Sequence, residues 1–346
     1  MRKGLGVHRA AKISRRTALG GMTALAAAGA LARPALAAND PVRLGITGGT
    51  QGLWRYMAAN KAEHLEKPLG RKFEFKIFPA DAGMRTTYLA NDLEIFTTIV
   101  PEAPALIERG IDVQFLFPIA WVKEAAVLVF TKSSGITSIA AAKGKNISTI
   151  PLQNAGGALF RALLLANHGI KMEEHFKLVG TPFPEVPLEA GQVDGAVLLS
   201  RQWSRLEQSG KYVPVTNMSA EWSKVKQSPQ LLAYGGLISR RDWNAANKPV
   251  IEGLIAAATK GMEHLKRNRA EFLEITRNYT ADGAISAQPL PVASFNTWSL
   301  GMDDVGPERV RLTKDDAADY RVVFGLLEKS GYLKAPPDID RMFYFG

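Results

Sequence analysis

The 346 residues predict an α/β protein built from two successive series of strands and helices, and two observations point to it. From Pro41 onward, short apolar, β-rich runs alternate with segments whose apolar residues recur every three or four positions. That alternation pauses at Lys132-Ser133-Ser134-Gly135 and then begins again. The length suits two domains of roughly 100–200 residues each.

The elements follow in order. Val42–Thr47 is a strand, broken by Gly48-Gly49-Thr50-Gln51-Gly52 before a helix from about Leu53. Phe73–Phe78 alternates as a second strand and stops at Pro79. Leu93–Ile99 is a third, followed by Pro101 at a first helical position, where proline's missing N–H is tolerated. Val113–Ile119 and Ala125–Thr131 add two more. In the second series Ile147–Ile150 is a short strand. The helix after it has Ala155, Ala158, Leu159, Ala162, Leu163 and Ala166 on one face, with Asn154 as its cap and Gly169 as its end. Ala196–Leu199 and Tyr212–Thr216 are further strands, and Leu231–Ser239 is placed to return the chain to the first series. The remainder is mostly helical. Ile251, Leu254, Ile255, Ala258, Met262 and Leu265 form one buried stripe; Tyr320, Val323, Phe324 and Leu327 form another, closed by Gly331.

Composition removes whole classes of function. Hydrophobic residues make up 46% and charged ones 22%, which excludes a disordered or fibrous chain. With no cysteine there is no disulfide, thiolate zinc site, iron–sulfur cluster or cysteine nucleophile. The net charge of +10 is local. Residues 1–37 hold Arg2, Lys3, Arg9, Lys12, Arg15, Arg16 and Arg33 and no acid. The other 309 residues carry 36 basic against 33 acidic groups, a net of +3, so no basic run is left to bind a nucleic acid.

That basic segment reads as a bacterial signal peptide spanning 1–37: a basic start, an apolar stretch from Thr17 to about Leu31, and Ala35-Leu36-Ala37 before the cut. Ser14-Arg15-Arg16-Thr17-Ala18-Leu19 resembles the twin-arginine export motif, with Ala18 where phenylalanine is preferred. The mature chain is expected to be soluble and periplasmic, beginning near Ala38.

Five stretches resemble one family in register. Ser134-Gly135-Ile136-Thr137-Ser138-Ile139 with Lys143-Gly144-Lys145 is similar to the "SGI-S-ADLKGK" segment of ABC-transporter substrate-binding proteins of the nitrate/sulfonate/taurine and thiamine-precursor type. Val42–Ile46, Glu102–Leu106, Leu188–Gly195 and Leu327–Leu333 fit the same family in the same order. The resemblance implies a two-lobed periplasmic-binding-protein fold of type II, with the ligand in the interlobe cleft. Lobe 1 would hold 38–132 and 232–346, and lobe 2 would hold 133–231. It implies a receptor that passes a small molecule to an ABC permease with its cytoplasmic ATPase but does not fix the ligand; the chain is expected to be a monomer without a cofactor or metal, and its glycine turns and Arg201 suit a compact anion. The anion would be an alkyl- or arylsulfonate, taurine, or an aromatic carboxylate. An exported enzyme on the same fold is the alternative. Of its precedents, the desulfinases use a cysteine and the pyrimidine-precursor synthases work inside cells.

In such sheets the ligand sits beyond the carboxyl ends of the strands, where helix N-termini present free N–H groups. Four strand-to-helix turns supply candidates. The first is Thr47, Gly48, Gly49, Thr50 and Gln51, with Trp54 behind them; the second is Thr97 and Thr98. The third is Asn154, Ala155, Gly156 and Gly157; the fourth is Ser200, Arg201 and Trp203, whose guanidinium could clamp an anion in two parallel bonds. Trp121 is a candidate wall, and Glu102 a helix-start acid that could accept a bond from a ligand ammonium. Reaction centres are not apparent from spacing. His64, His168, His175 and His264 never pair at helical intervals, and no G-x-S-x-G, H-E-x-x-H or phosphate-loop pattern occurs.

Overall fold

The computed structural model describes residues 40–47, 52–78, 81–121, 125–150, 152, 154–229, 231–271, 274 and 305–346; for Thr47, Ser200, Arg201 and Ser204 it describes the backbone alone. The expected signal segment 1–37 and the turn residues Gly48, Gly49, Thr50 and Gln51 lie outside the described residues.

Ten strands among the described residues form two five-stranded sheets. They are β1 Val42–Thr47, β2 Phe73–Phe78, β3 Ile95–Ile99, β4 Val113–Trp121, β5 Val127–Thr131, β6 Asn146–Thr149, β7 Lys177–Gly180, β8 Gly195–Leu198, β9 Tyr212–Asn217 and β10 Ala233–Arg240. The first sheet runs β2-β1-β3-β10-β4 and the second β7-β6-β8-β5-β9. Each begins with three parallel strands, and its fourth strand is antiparallel to both neighbours. That fourth strand is in each case the one the chain lays down on arriving from the other sheet. The central strands are apolar throughout, as strands covered on both faces must be: Val42, Leu44, Ile46 and Ile95 are fully buried. Pro118 and Pro214 fall on the edge strands β4 and β9, where a missing ladder donor is tolerated. Gly236 is required where β10 crosses β4, since a Cβ there would lie 2.3 Å from Phe115 and from the Phe117 carbonyl.

The exchange of sheets falls earlier than the sequence suggested. β5 was expected to complete lobe 1 at residue 132, but Val127 pairs with Leu198 of β8 and Asn217 of β9. The chain therefore crosses between Trp121 and Val127. Lys132-Ser133-Ser134 is a turn within the second lobe, closed by Gly135 at φ 65°. An apolar run does not announce its partner, and β4 and β5 read alike in one dimension. The return crossing ends at Ala233, where β10 rejoins the first sheet.

Eight helices matter for the site and the hinge: α1 Gly52–Ala59, α2 Asp81–Leu89, α3 Glu102–Ile107, α4 Ala155–His168, α5 Ser200–Glu207, α6 Met218–Lys226, α7 Lys248–Arg267 and α8 Lys314–Lys329. α4 has the ends its sequence predicts. Asn154 Oδ1 accepts from Gly157 N at 2.7 Å, and Gly169 closes the helix at φ 65°. α6 is tied to α4 through Glu221, a fully buried carboxylate. It accepts from Asn167 at 2.7 Å and Lys224 at 2.7 Å, and His168 Nε2 lies 2.9 Å away. α8 spans both lobes. Tyr320 donates to the Ala233 carbonyl at 2.6 Å in the first sheet, while Lys226 pairs with Asp319 at 2.6 Å and Arg161 bonds the Ser330 carbonyl at 3.2 Å in the second lobe. Among the described residues no helix is long and apolar enough to cross a membrane.

Candidate functional site in the interlobe cleft

A cavity of about 220 Å³ opens between the two sheets. Its walls come from the carboxyl ends of strands in both: Thr98 and Ile99 from β3, Ile119 and Ala120 from β4, Ile150 after β6 and Leu199 after β8. Tyr234 and Gly235, where β10 re-enters the first sheet, form a further wall. This is where an open α/β sheet places its ligand.

Three of the described helices line the cavity with residues of their own first turn, and their starts differ in charge. Asp81 opens α2 and Glu102 opens α3, so both first-lobe helices meet the cavity with a carboxylate. α4 of the second lobe has no acid in its first turn and begins Ala155-Gly156-Gly157. Asn154 satisfies the Gly157 N–H and its carbonyl accepts from Ala158, which leaves the Ala155 and Gly156 amides without an intrahelical partner. Those two amides, with the positive end of the helix dipole behind them, suit an anion.

The first-lobe wall is short of positive charge. Glu102 accepts from Arg85 Nη1 at 3.0 Å. Desolvation nonetheless raises the Glu102 carboxyl above its ordinary value, against the pull of Arg85 and with a further push from Asp81. Asp81 is open to solvent in the cleft, yet the surrounding walls desolvate it enough to raise its pKa as well. The Tyr234 phenol is also pushed up, first by burial and then by the charge of Glu102. Its hydroxyl faces the start of α4, 2.8 Å from where a Cβ on Gly156 would stand, and it has no hydrogen-bond partner among the described residues.

Of the residues predicted from sequence, Thr98, Glu102, Asn154, Ala155 and Gly156 meet at this cavity. Thr97 does not, because it faces the opposite side of β3, where it is fully buried and donates to the Gly45 carbonyl at 3.4 Å. Gly157 is buried in α4 with its amide already capped. The tryptophans belong to cores rather than to the cleft wall. Trp54 is fully buried against Phe75 and Phe117, Trp121 is fully buried at the end of β4, and Trp203 packs beneath the second sheet with Val127, Leu198 and Tyr212. Large rings at these places contribute more as core than as lining. Ser200 and Arg201 begin α5 directly after the cavity residue Leu199.

Sequence reasoning missed Asp81 and Tyr234. The rule that found the other turns would have found Asp81, which follows β2 as Glu102 follows β3, had it been applied to the Pro79 break. Tyr234 carried no such signal, since it lies at the start of a strand that enters the sheet antiparallel.

Residues 57–276 match the family described as ABC transporter, phosphonate, periplasmic substrate-binding protein. The chain belongs to that family of periplasmic substrate-binding proteins. No curated protein sequence matches it. Among solved structures it is similar to the periplasmic aliphatic sulphonate binding protein SsuA from Escherichia coli, with 15% identity, a TM-score of 0.66, and coverage of 88% of this chain and 92% of that one. A sulfonate-binding SsuA protein from Methylobacillus flagellatus KT gives 18% identity and a TM-score of 0.64, with coverage of 88% and 92%. The alkanesulfonate-binding protein SsuA from Xanthomonas axonopodis pv. citri, bound to MOPS, gives 19% identity and a TM-score of 0.60, with coverage of 88% and 96%. At such identities the likeness is one of fold, and it establishes the two-lobed periplasmic-binding-protein architecture.

Proposed function

We propose that the chain is the exported, monomeric receptor of an ABC importer, which closes on one small organic anion and delivers it to a membrane permease powered by a cytoplasmic ATPase. The observation that supports this most is the interlobe cavity at the carboxyl ends of both sheets, lined by Ala155 and Gly156, whose amides have no intrahelical partner. A sulfonate or phosphonate head fits those amides, in keeping with the family and with the sulfonate-binding names of the neighbours. The apolar lining is aliphatic, from Ile99, Ile119, Ile150 and Leu199, so an alkyl body fits better than an aryl one. Taurine and short alkylsulfonates or alkylphosphonates lead over aromatic carboxylates.

Arg201 remains our proposed second contact to the anion, since it follows the cavity residue Leu199 at the start of α5. Export by the twin-arginine route is part of the same proposal. Replacing Arg15 and Arg16 together with lysine should leave precursor in the cytoplasm, and undiminished export would refute that route.

Incubating purified protein with ethanesulfonate, taurine, ethylphosphonate, 2-aminoethylphosphonate, benzoate and nitrate tests the receptor reading. One or more should raise the melting temperature by mass action and be recovered unchanged, at one molecule per chain. Arg201→Ala in the same titration should weaken binding at least tenfold. Conversion of any of these compounds to a product would establish an enzyme instead.

A further inference from the structure

The cleft has one electrically neutral end and one acidic end. On the second-lobe side the α4 start offers two amides without an intrahelical partner and no carboxylate in its first turn. On the first-lobe side Asp81 and Glu102 face the same cavity, and among the described side chains they share one close cation, Arg85, which is bonded to Glu102. Arg109 and Tyr332 also bear on Glu102, but neither lines the cavity. The Tyr234 hydroxyl stands between the two ends, largely enclosed and without a partner among the described residues, ready to bridge to a ligand.

Among the described side chains, a purely anionic ligand would meet two carboxylates and one near cation, Arg85, which Glu102 already engages, and like charges brought together in a partly desolvated cavity repel. We propose that Asp81 and Glu102 form a cation subsite, so that the ligand is a zwitterion. Its sulfonate or phosphonate seats on the Ala155 and Gly156 amides, and its protonated amine is held by Asp81 and Glu102 across a short alkyl spacer. The raised pKa of both carboxyls fits a site built to lose its protons when an ammonium arrives. Glu102 keeps its Arg85 partner and accepts the ammonium on its remaining lone pairs; Asp81 supplies the second acceptor. This inference rests on the receptor reading and narrows its ligand class.

Matched pairs that differ only in the amine test it by calorimetry on the purified protein: taurine against ethanesulfonate, and 2-aminoethylphosphonate against ethylphosphonate. In at least one pair the amine should tighten binding thirtyfold or more. Asp81→Asn and Glu102→Gln should each remove most of that difference, weakening the amine while leaving the amine-free partner bound as tightly as before or more tightly. Circular dichroism and melting curves check that each variant folds, and either variant alone suffices to read the effect. Amine-free partners binding as tightly as the amines would overturn the cation subsite and leave the receptor reading standing. Absence of binding by all four would overturn both the subsite and the sulfonate or phosphonate ligand on which it rests.

Discussion

Asp81 and Glu102 decide how the cleft responds to pH. Both carboxyls are raised from ordinary values of 3.8 and 4.5, each chiefly by desolvation. A raised acid is still protonated in the empty cleft at a pH where it would be ionised in water, and an ammonium ligand must displace those protons. The ionisable groups bearing on the pair are Arg85, Arg109, Tyr234 and Tyr332; the two phenols, raised chiefly by burial, stay neutral over this range. Affinity for taurine or 2-aminoethylphosphonate should therefore climb with pH from about 4 and level off only above the raised carboxyl values, by up to tenfold per pH unit for each proton released. Affinity for ethanesulfonate should stay flat or fall over the same range, because ionising the pair only adds repulsion. Calorimetric titrations at a series of pH values check this, and parallel profiles for the two ligands would contradict it. Gly156 is the second decisive residue. Its conformation is helical, so Gly156→Ala gains propensity of about 1 kcal/mol. The new Cβ would lie 2.8 Å from the Tyr234 hydroxyl, which must then move in the cleft. The variant should melt no lower than the parent yet bind its ligand at least fivefold more weakly. Unchanged binding would show that Tyr234 takes no part.

At the scale of elements, α4 does two jobs at one end. Asn154 caps the helix, and the amides beside that cap are the proposed anion seat. Asn154→Asp separates the jobs. Aspartate caps as well as asparagine, so stability should hold within about 0.5 kcal/mol. The added negative charge beside Ala155 and Gly156 should weaken binding of ethanesulfonate or taurine at least tenfold. Equal affinity in the two proteins would remove the anion from this helix start. α4 was also the most legible element in the sequence. Its stripe, its asparagine cap and its glycine end are all local signals; the cap and the end stand where they were expected, and the stripe is buried from Ala155 to Leu163 but not at Ala166, which is exposed. β7 left no such trace. Lys177–Gly180 is a four-residue edge strand, mostly exposed, so it has neither an apolar run nor an alternation to detect. The cavity divides in the same way. Asn154–Gly156, Thr98 and Glu102 follow strands and announce themselves by position, whereas Tyr234 reaches the cleft only through the antiparallel pairing of β10 with β3 and β4. The three tryptophans misled for a physical reason: an aromatic residue near a strand end suits a cleft wall and a core equally until its neighbours are known.

For the whole molecule, two sheets of the same layout exchange one strand each, and among the described residues the chain passes between them at 121–127 and 217–233. Few covalent links and a ligand gripped from both sides are the conditions for hinge closure. The second passage leads straight into the cleft. Ala233 is tied to α8 through Tyr320, and Tyr234, the next residue, lines the cavity. Ligand contact at Tyr234 thus acts at the hinge itself. Closure follows only from contacts made better in the closed state than in the open one, which a ligand spanning Asp81 and Glu102 on one lobe and the α4 start on the other supplies. Small-angle scattering with and without saturating ligand, using whichever compound in the calorimetric series binds tightest, tests the closing-receptor account most directly. It should report the mass of one chain and a smaller radius of gyration when ligand is present. A radius unchanged at saturation, or a change of mass in place of a change of shape, would contradict it.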